Sequence, residues 1–533
     1  MSRSVIVVGG GHNGLVAAVR LARAGCRVTV LEQGVEPGGC VWTETHRSGV
    51  VVERGAWEHA GVLAVARELE LDVDYVEHPV AAGFHFADGT QRVFHTDLEH
   101  TVRELGADGP AYRRLVELAD TLFGLLGTFA TPPTPTQVAA ALATVPSGDA
   151  LFRTMVQSAE TVIEATLTDP FARAALALQA SHAQVPAWAP GTGLFAFLLP
   201  LAHGGPSVRP VGGSRALVDG LVAALEAAGG EVRTSAPVVR LSTHRRRGAA
   251  FGGGLDESGG GGGGEVELAD GTVLAADVVV STLGLPRTGS LLTDPAPALR
   301  AATNDLHSGH FNVSELTVTV VSSAPVPLPW HDTDAIWYAV AEPGDVRRGF
   351  GEILAGQLPT SPWSMVGRGR QPAGVTGAAT WLSSVVPLDA ADGPWTAERE
   401  RLAGERLVDH VSSVLGVDLR AGLVDLVVSG PATWAGRVGG DGSPNHLDNT
   451  LDQLLGWRVP GHADLRTELP WLYLAGAGSH PGGGLSGASG SAVATTVLSG
   501  AATPPPRVER LRAEVRGLVR GFQAYRSMRK GIR

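Results

Sequence analysis

The stretch "SVIVVGGGHNGLVAAVRLARAGCRVTVLE", residues 4–32, decides how this 533-residue chain begins to fold. Its first run is β-branched and apolar, its middle carries apolar residues at helical spacing, and Gly25 stands where a helix would stop. A strand, a tight turn, a helix and a second strand follow, which is a βαβ unit. The turn contains Gly9, Gly11 and Gly14 in a GxGxxG pattern. Gly9 permits the tight turn, Gly11 lets backbone approach a pyrophosphate, and Gly14 allows helix and strand to pack closely. The helix N-terminus then offers amides and a dipole to phosphates. Glu32 closes the second strand, where a carboxylate accepts hydrogen bonds from both ribose hydroxyls and repels a 2′-phosphate.

Composition narrows the field. A chain of this length makes two or three domains and buries a core that needs no metal or disulfide staple. Cys26 and Cys40 are its only cysteines, which suits a reducing compartment and excludes a multi-cysteine zinc site. The start, "MSRSVIVVGG", lacks the pattern of a signal peptide, and no apolar run reaches bilayer length, so a cytoplasmic protein is expected. The longest candidate, "GLFAFLLPLA" at 193–202, reads as a buried or tunnel-lining segment. A net charge of -11 argues against nucleic-acid binding. Lys530 is the sole lysine, which leaves none in the body of the chain for Schiff-base or proton-transfer chemistry.

Further along, residues 60–206 read as mainly helical and alanine-rich. From Gly212 the helix-to-strand pattern returns, followed by a hairpin turning at Asp270-Gly271. The low-complexity "GGGLDESGGGGGG", 252–264, is expected at a mobile hairpin tip. Residues 290–465 are mixed, with strand-like "SELTVTVVSS" and helix-like "AERERLAGERLVDHVSSVL". A last strand, "WLYLAGAG", leads to a small-residue helix. The tail 507–533 holds nine basic and two acidic residues with apolar positions at helical spacing. Such a basic amphipathic helix covers an apolar patch of its own body or lies on an anionic membrane.

Two glycine-rich segments carry a family resemblance. "LEQGVEPGGCVWTET" continues the first motif to the pair Gly38 and Gly39, with Ala18, Leu21 and Gly25 also in place. This pattern resembles the flavoprotein superfamily of amine oxidases, phytoene desaturases and GDP-dissociation inhibitors. "LYLAGAGSHPGGGLSGASGSA" resembles the C-terminal flavin-binding segment of bacterial phytoene desaturases, carotenoid isomerases and the related pyridine nucleotide-disulphide oxidoreductase domain-containing proteins. "GHNGL", "PVGGSRALVDGL" and "LDQLLGWRVPG" extend the resemblance to the last of these over essentially the whole chain.

The resemblance implies FAD rather than NAD. The implied α/β fold has a Rossmann-like FAD-binding domain of the glutathione reductase type, built from 1–80, 207–290 and 466–500. A mixed α+β substrate domain, 81–206 and 291–465, is inserted in it, and 501–533 forms the basic helix. It assigns cofactor contacts to Gly9, Gly11, His12, Asn13, Gly14, Glu32, Gly38, Gly39, Val238, Gly478, Gly484 and Leu485. Gly55, Ala56 and Trp57 would lie near the flavin ring.

Amine oxidases of this group often carry an acidic residue in the C-terminal turn and a lysine that holds a water at the flavin. Here the turn reads Gly476-Ala477-Gly478 and that lysine is missing, which counts against their mechanism. The expected chemistry is hydride transfer from a small-molecule substrate to FAD, with dioxygen or a quinone as acceptor. A redox-neutral isomerase and a non-catalytic binding protein of the GDP-dissociation-inhibitor type are the alternatives. His480, beside the cofactor turn, is the first candidate for a catalytic base, and His310 with His307 the second. Asp305 and Glu315 are further candidates, and no metal site is expected because the histidine pair lacks a third ligand.

Overall fold

The computed structural model describes residues 2–129, 131–244, 262–331, 334–440 and 442–500. The expected basic helix over 501–533, and residues 252–261 of the expected glycine-rich tip, lie outside the described residues.

Five strands form one parallel sheet: β1 (Ser4–Val8), β2 (Arg27–Leu31), β3 (Glu231–Arg233), β4 (Val278–Ser281) and β5 (Leu472–Leu474), in the order β5-β4-β1-β2-β3. Its central strands read as unbroken apolar runs because both faces are covered. Val5, Val7, Val278 and Val280 pack with Leu15, Val19 and Leu21 of helix α1 (His12–Arg23), and Ile6, Val8 and Val279 enter a second cluster on the other face. Helix α2 (Ala488–Leu498) follows β5 and lies directly on α1. The two ends of the described chain are therefore neighbours. All strands run the same way, so the turns after β1, β4 and β5 meet at one edge, the usual place for a ligand in such a sheet.

A second, seven-stranded sheet has the order 423–429, 313–322, 378–387, 364–369, 337–340, 80–86, 91–95, antiparallel except where Trp337–Val340 meets Val80–Phe86. "SELTVTVVSS" forms Val313–Ser322 within it. Leu316, Val318 and Val320 face the helix Ala397–Leu415, while on the other side Thr317 and Thr319 donate to the carbonyls of Arg54 and Glu53 at 2.7 and 2.6 Å. Glu315 belongs to that second face by the period of two. Helices between 98 and 204 pack on the sheet through Phe84, Phe86, Tyr112, Leu178 and Phe197.

The region 60–206 is mainly helical as expected, interrupted by the hairpin Val80–Phe86 and Gln91–His95, whose turn uses Gly89 at φ +84°. The alternating "VAAGFHFADGTQRVFH" carried that signal, with Asp88-Gly89 as its turn. Gly263 and Gly264 also belong to a strand rather than to a tip, Gly263–Leu268. A Cβ on Gly264 would stand 2.4 Å from the Trp471 ring, so packing rather than flexibility explains that glycine. The hairpin turn at Asp270-Gly271 lies where expected, with Gly271 at φ +83°.

Candidate active site

The turn between β1 and α1 leaves no room for side chains. Gly9 sits at φ +102°, and a Cβ there would meet Thr282 Oγ1 at 2.2 Å. A Cβ on Gly14 would meet the Gly9 carbonyl at 2.2 Å. Helix α1 begins after Gly11 with no side-chain cap and no acidic residue in its first turn, so its free amides and dipole suit an anion. Glu32 is fixed beside this turn: its two oxygens accept from the amides of Gly10 and Gly34, each at 2.8 Å. A carboxylate oxygen accepts more than one hydrogen bond, so the pair can still serve a ribose diol.

The second glycine segment closes against the first. Gly476, at φ +91°, runs under the Thr282 carbonyl, and its amide donates to Ser489 Oγ at 2.9 Å. A Cβ on Gly490 would stand 2.1 Å from the Asn13 carbonyl, and the Gly490 amide donates to Asn13 Oδ1 at 3.3 Å. His12 lies between the two segments. Burial pushes its pKa down to about 4 despite the opposing Gly484 backbone, so the imidazole is neutral at pH 7.

One cavity of about 1050 Å³ joins these parts. Gly9, Gly11, His12, Asn13, Gly14, Glu32, Gly39, Val238, Gly484 and Leu485 all line it, as do Gly55, Ala56 and Trp57. Gly38 stands just outside the lining, bridged to Gly11, and Gly478 packs behind it against Gly284. Residues 478–482 stay behind the wall made by 476, 477 and 483–485, in a turn closed by the Gly482 amide on the Ser479 carbonyl. His480 is thus off the cavity, largely buried, with its pKa lowered to about 4 by burial and by the charge of Arg458. His310 is exposed, and its amide donates to Asp448 Oδ2 at 2.7 Å, while His307 pairs with the same carboxylate at 3.2 Å. That segment is tied to the 448–453 loop and does not reach the cavity either.

Glu315 does line it. Burial raises its pKa, only partly offset by the Ser383 hydroxyl that donates to it at 2.6 Å. Cys40 is close by, and burial followed by the Glu315 charge pushes its thiol up to about 12, so it is no nucleophile. Two basic residues line the same cavity, Arg287 and Arg437. Arg437 donates through Nε to the Gly39 carbonyl at 3.1 Å and has no carboxylate partner among the described residues. Arg458, which motif reading passed over, is fully buried and links the Ala477 carbonyl, 2.9 Å from its Nε, to Asn449 Oδ1, 2.8 Å from its NH1. It braces the second glycine turn from behind.

Beyond the glycines the walls become aromatic and apolar. Trp57 stacks on Trp381 with centroids 5.1 Å apart, and the Arg209 guanidinium lies 3.6 Å from the Trp57 ring centroid on a buried side chain. Gly367 is required there, since a Cβ would come within 2.5 Å of the Trp57 indole. Leu198, Leu199, Leu201, Ile336 and Met365 complete the chamber, so the 193–202 segment does line it. The indole N–H groups of Trp57, Trp381 and Trp434 have no partner among the described residues, although all three residues line the cavity. Buried donors are rarely left so, and with the glycine cradle and Glu32 they fit a long polar ligand such as a flavin dinucleotide.

A family model described as flavin containing amine oxidoreductase matches residues 14–498. A phytoene desaturase (lycopene-forming) of Paracoccus sp. is 25% identical over 93% of this chain and 96% of its own. A hydroxyneurosporene desaturase of Cereibacter sphaeroides is 26% identical over 93% and 97% respectively. Among solved structures, an oxidoreductase from Methanosarcina mazei superposes with a TM-score of 0.59 at 16% identity, covering 93% of this chain and 100% of that one, a likeness of fold. No helix among the described residues is long and apolar enough to cross a membrane.

Proposed function

The chain belongs to the flavin containing amine oxidoreductase family and is an FAD-dependent oxidoreductase that dehydrogenates an organic substrate, and on that premise we propose that the substrate is apolar and natural-product-like. One observation carries the reading: the cavity that starts at Glu32 and the glycine turns continues as the chamber of Trp57, Trp381, Ile336, Met365 and Leu199. Near full-length alignment with a phytoene desaturase and a hydroxyneurosporene desaturase supports oxidation of a carbon–carbon bond.

The residues divide the work as follows. The α1 amides and Arg437 would hold the pyrophosphate, and Glu32 would hold the ribose hydroxyls. Gly39, Val238, Gly484 and Leu485 would supply backbone along the rest of FAD, while Gly38 and Gly478, expected as contacts, stand off the cavity and brace the two turns from behind, with His12 and Asn13 locking the two glycine segments together. FAD, when bound, would supply the acceptor for a hydride, which carries both electrons of the oxidation. Trp57 and Trp381 position the reacting carbons and exclude water. Glu315, rather than His480 or His310, takes the proton from the neighbouring carbon, since it alone of the three lines the cavity. Dioxygen or a quinone then removes the electrons, and the basic segment 507–533 brings the protein to an anionic membrane when the acceptor is a quinone. We assign 1–80, 207–290 and 466–500 to the FAD-binding domain, and 81–206 with 291–465 to the substrate domain.

The test is anaerobic. Purified yellow protein is mixed with a panel of isoprenoid hydrocarbons, alcohols and amines, and flavin absorbance is followed near its visible maximum. Bleaching by a hydrocarbon or alcohol, with a product two hydrogens lighter, supports the reading. Bleaching by amines alone overturns it.

A further inference from the structure

The far chamber is not uniformly apolar. Gln179 and His182 lie three positions apart at the end of the helix Pro170–Ser181, and both line the cavity beside Tyr338 from the seven-stranded sheet. The Tyr338 hydroxyl accepts from Gln179 Nε2 at 3.1 Å and lies 2.9 Å from His182 Nε2. Its ring is held by stacking on Phe84, with centroids 4.8 Å apart. Around this trio the wall is apolar, with Ile336, Met365 and Leu199.

Hydrogen-bonding capacity remains. A glutamine side chain has two N–H donors and a carbonyl, a phenol one donor and two acceptor positions, and an imidazole two nitrogens. The trio uses one Gln179 donor, the Tyr338 hydroxyl and one His182 nitrogen, and no further protein partner is found for Gln179 or His182 among the described residues. Leaving polar groups unpaired in an apolar chamber is costly, so the spare capacity of the part-buried Gln179 and His182, beside the already bonded Tyr338 hydroxyl, implies a polar atom there.

We propose that the substrate carries an uncharged oxygen function, a hydroxyl or carbonyl, which Gln179, His182 and Tyr338 bind at the far end of the cavity. This rests on the dehydrogenase reading, because it takes the chamber to be the substrate site. Charge supports the neutral choice. Arg437 is tied to the Gly39 carbonyl and Arg287 stands in the helix Leu285–Leu291 that follows β4, so among the described lining residues a carboxylate or phosphate finds no arginine beside the trio. An ammonium would need a charged carboxylate, and burial raises the pKa of Glu58, the carboxyl whose charge reaches Tyr338, and so disfavours its charged form. Burial holds His182 neutral, with a pKa near 4, so it can present both a donor and an acceptor. The oxygen end would fix how far the chain reaches back toward Trp57 and Trp381, and hence which carbons are oxidised.

The test titrates oxidised holoenzyme anaerobically with prenol, geraniol, farnesol and geranylgeraniol, each against the matching hydrocarbon lacking oxygen, following the flavin spectrum. At least one alcohol should bind tenfold or more tighter than its hydrocarbon. Gln179→Leu and Tyr338→Phe should each reduce that ratio to threefold or less without weakening the hydrocarbon. Ratios within threefold for every pair in the wild type, failure of all four alcohols to bind, or an unchanged ratio in both variants overturns the proposal. Flavin content and dithionite bleaching are measured on the same samples. Colourless protein would remove the dehydrogenase reading itself, whereas yellow protein indifferent to oxygen removes only this one.

Discussion

Replacing Gly490 by alanine sets local and tertiary physics against each other. Within a helix, alanine is favoured over glycine by about 1 kcal/mol, so α2 taken alone should gain stability. The neighbouring helix forbids it: the new Cβ would lie 2.1 Å from the Asn13 carbonyl, 3.0 Å from its carbon and 3.2 Å from the Ala17 amide. Side-chain carbons do not approach backbone oxygen closer than about 3 Å, so α1 and α2 must part by close to an ångström. Overpacking of this kind costs about 1–3 kcal/mol. The parting displaces the α1 amides from the second glycine segment, and the share of the cost that FAD must reverse appears in its affinity. A loss of about 1–3 kcal/mol corresponds to roughly 5- to 150-fold in Kd. Gly124→Ala is the control, because Gly124 lies within the helix Gly109–Leu126 and a Cβ there meets nothing within 4 Å. Apoprotein of each variant is titrated with FAD by flavin fluorescence, and thermal midpoints are recorded. Gly124→Ala should match the wild type in FAD affinity and equal or exceed it in stability. Gly490→Ala should weaken FAD at least fivefold and lower the midpoint. If Gly490→Ala binds FAD as the wild type does and melts higher, the helices are not in contact as described.

Other predictions concern the titratable groups in and around the cavity. Glu315→Gln should lower kcat by about 10²–10⁴-fold with flavin content unchanged, and the acid limb of the wild-type profile should lie above the usual glutamate pKa of 4.5. An unimpaired Glu315→Gln enzyme would remove Glu315 as the proton acceptor. Because its folded pKa is raised, ionising Glu315 costs stability as pH rises through that range, so the same variant should be no less stable than the wild type at pH 8. Cys40, with its thiol near 12, should resist iodoacetamide at pH 8 in the native protein and react once it is unfolded; rapid native labelling would contradict that raised pKa. His12, His182 and His480 have folded pKa values lowered to about 4 from 6.5. Their contribution is complete above pH 6.5 and is lost as pH falls toward 4, with a slope of up to about 1.4 kcal/mol per pH unit for each. The thermal midpoint should therefore drop between pH 7 and pH 5, and a flat or rising midpoint would contradict the assignment.

The dinucleotide end of the site was legible because its chemistry is backbone chemistry. Gly9, Gly14 and Glu32 occur within one βαβ unit, where local spacing dictates both turn and contact. The second glycine segment was legible for the same reason, although its packing against α1 is tertiary. The chamber was not. Gln179, His182 and Tyr338 come from a helix and a strand more than 150 residues apart, and nothing in either segment alone marks a shared wall. His480 adjoins the second glycine turn in sequence, yet the Ser479–Gly482 turn carries it behind those glycines and off the cavity. Glu315 could be seen through the alternation of its strand, which puts a carboxyl on the face whose threonines bond to residues 53 and 54.

The central claim, that both glycine segments grip one FAD, is tested most directly by counting flavin. Protein purified under native conditions is denatured, and the released flavin is identified by chromatography and quantified against the chain. One FAD per chain, or saturable uptake to that ratio by apoprotein, is the result predicted. Colourless protein that takes up no FAD even at millimolar concentration would contradict it.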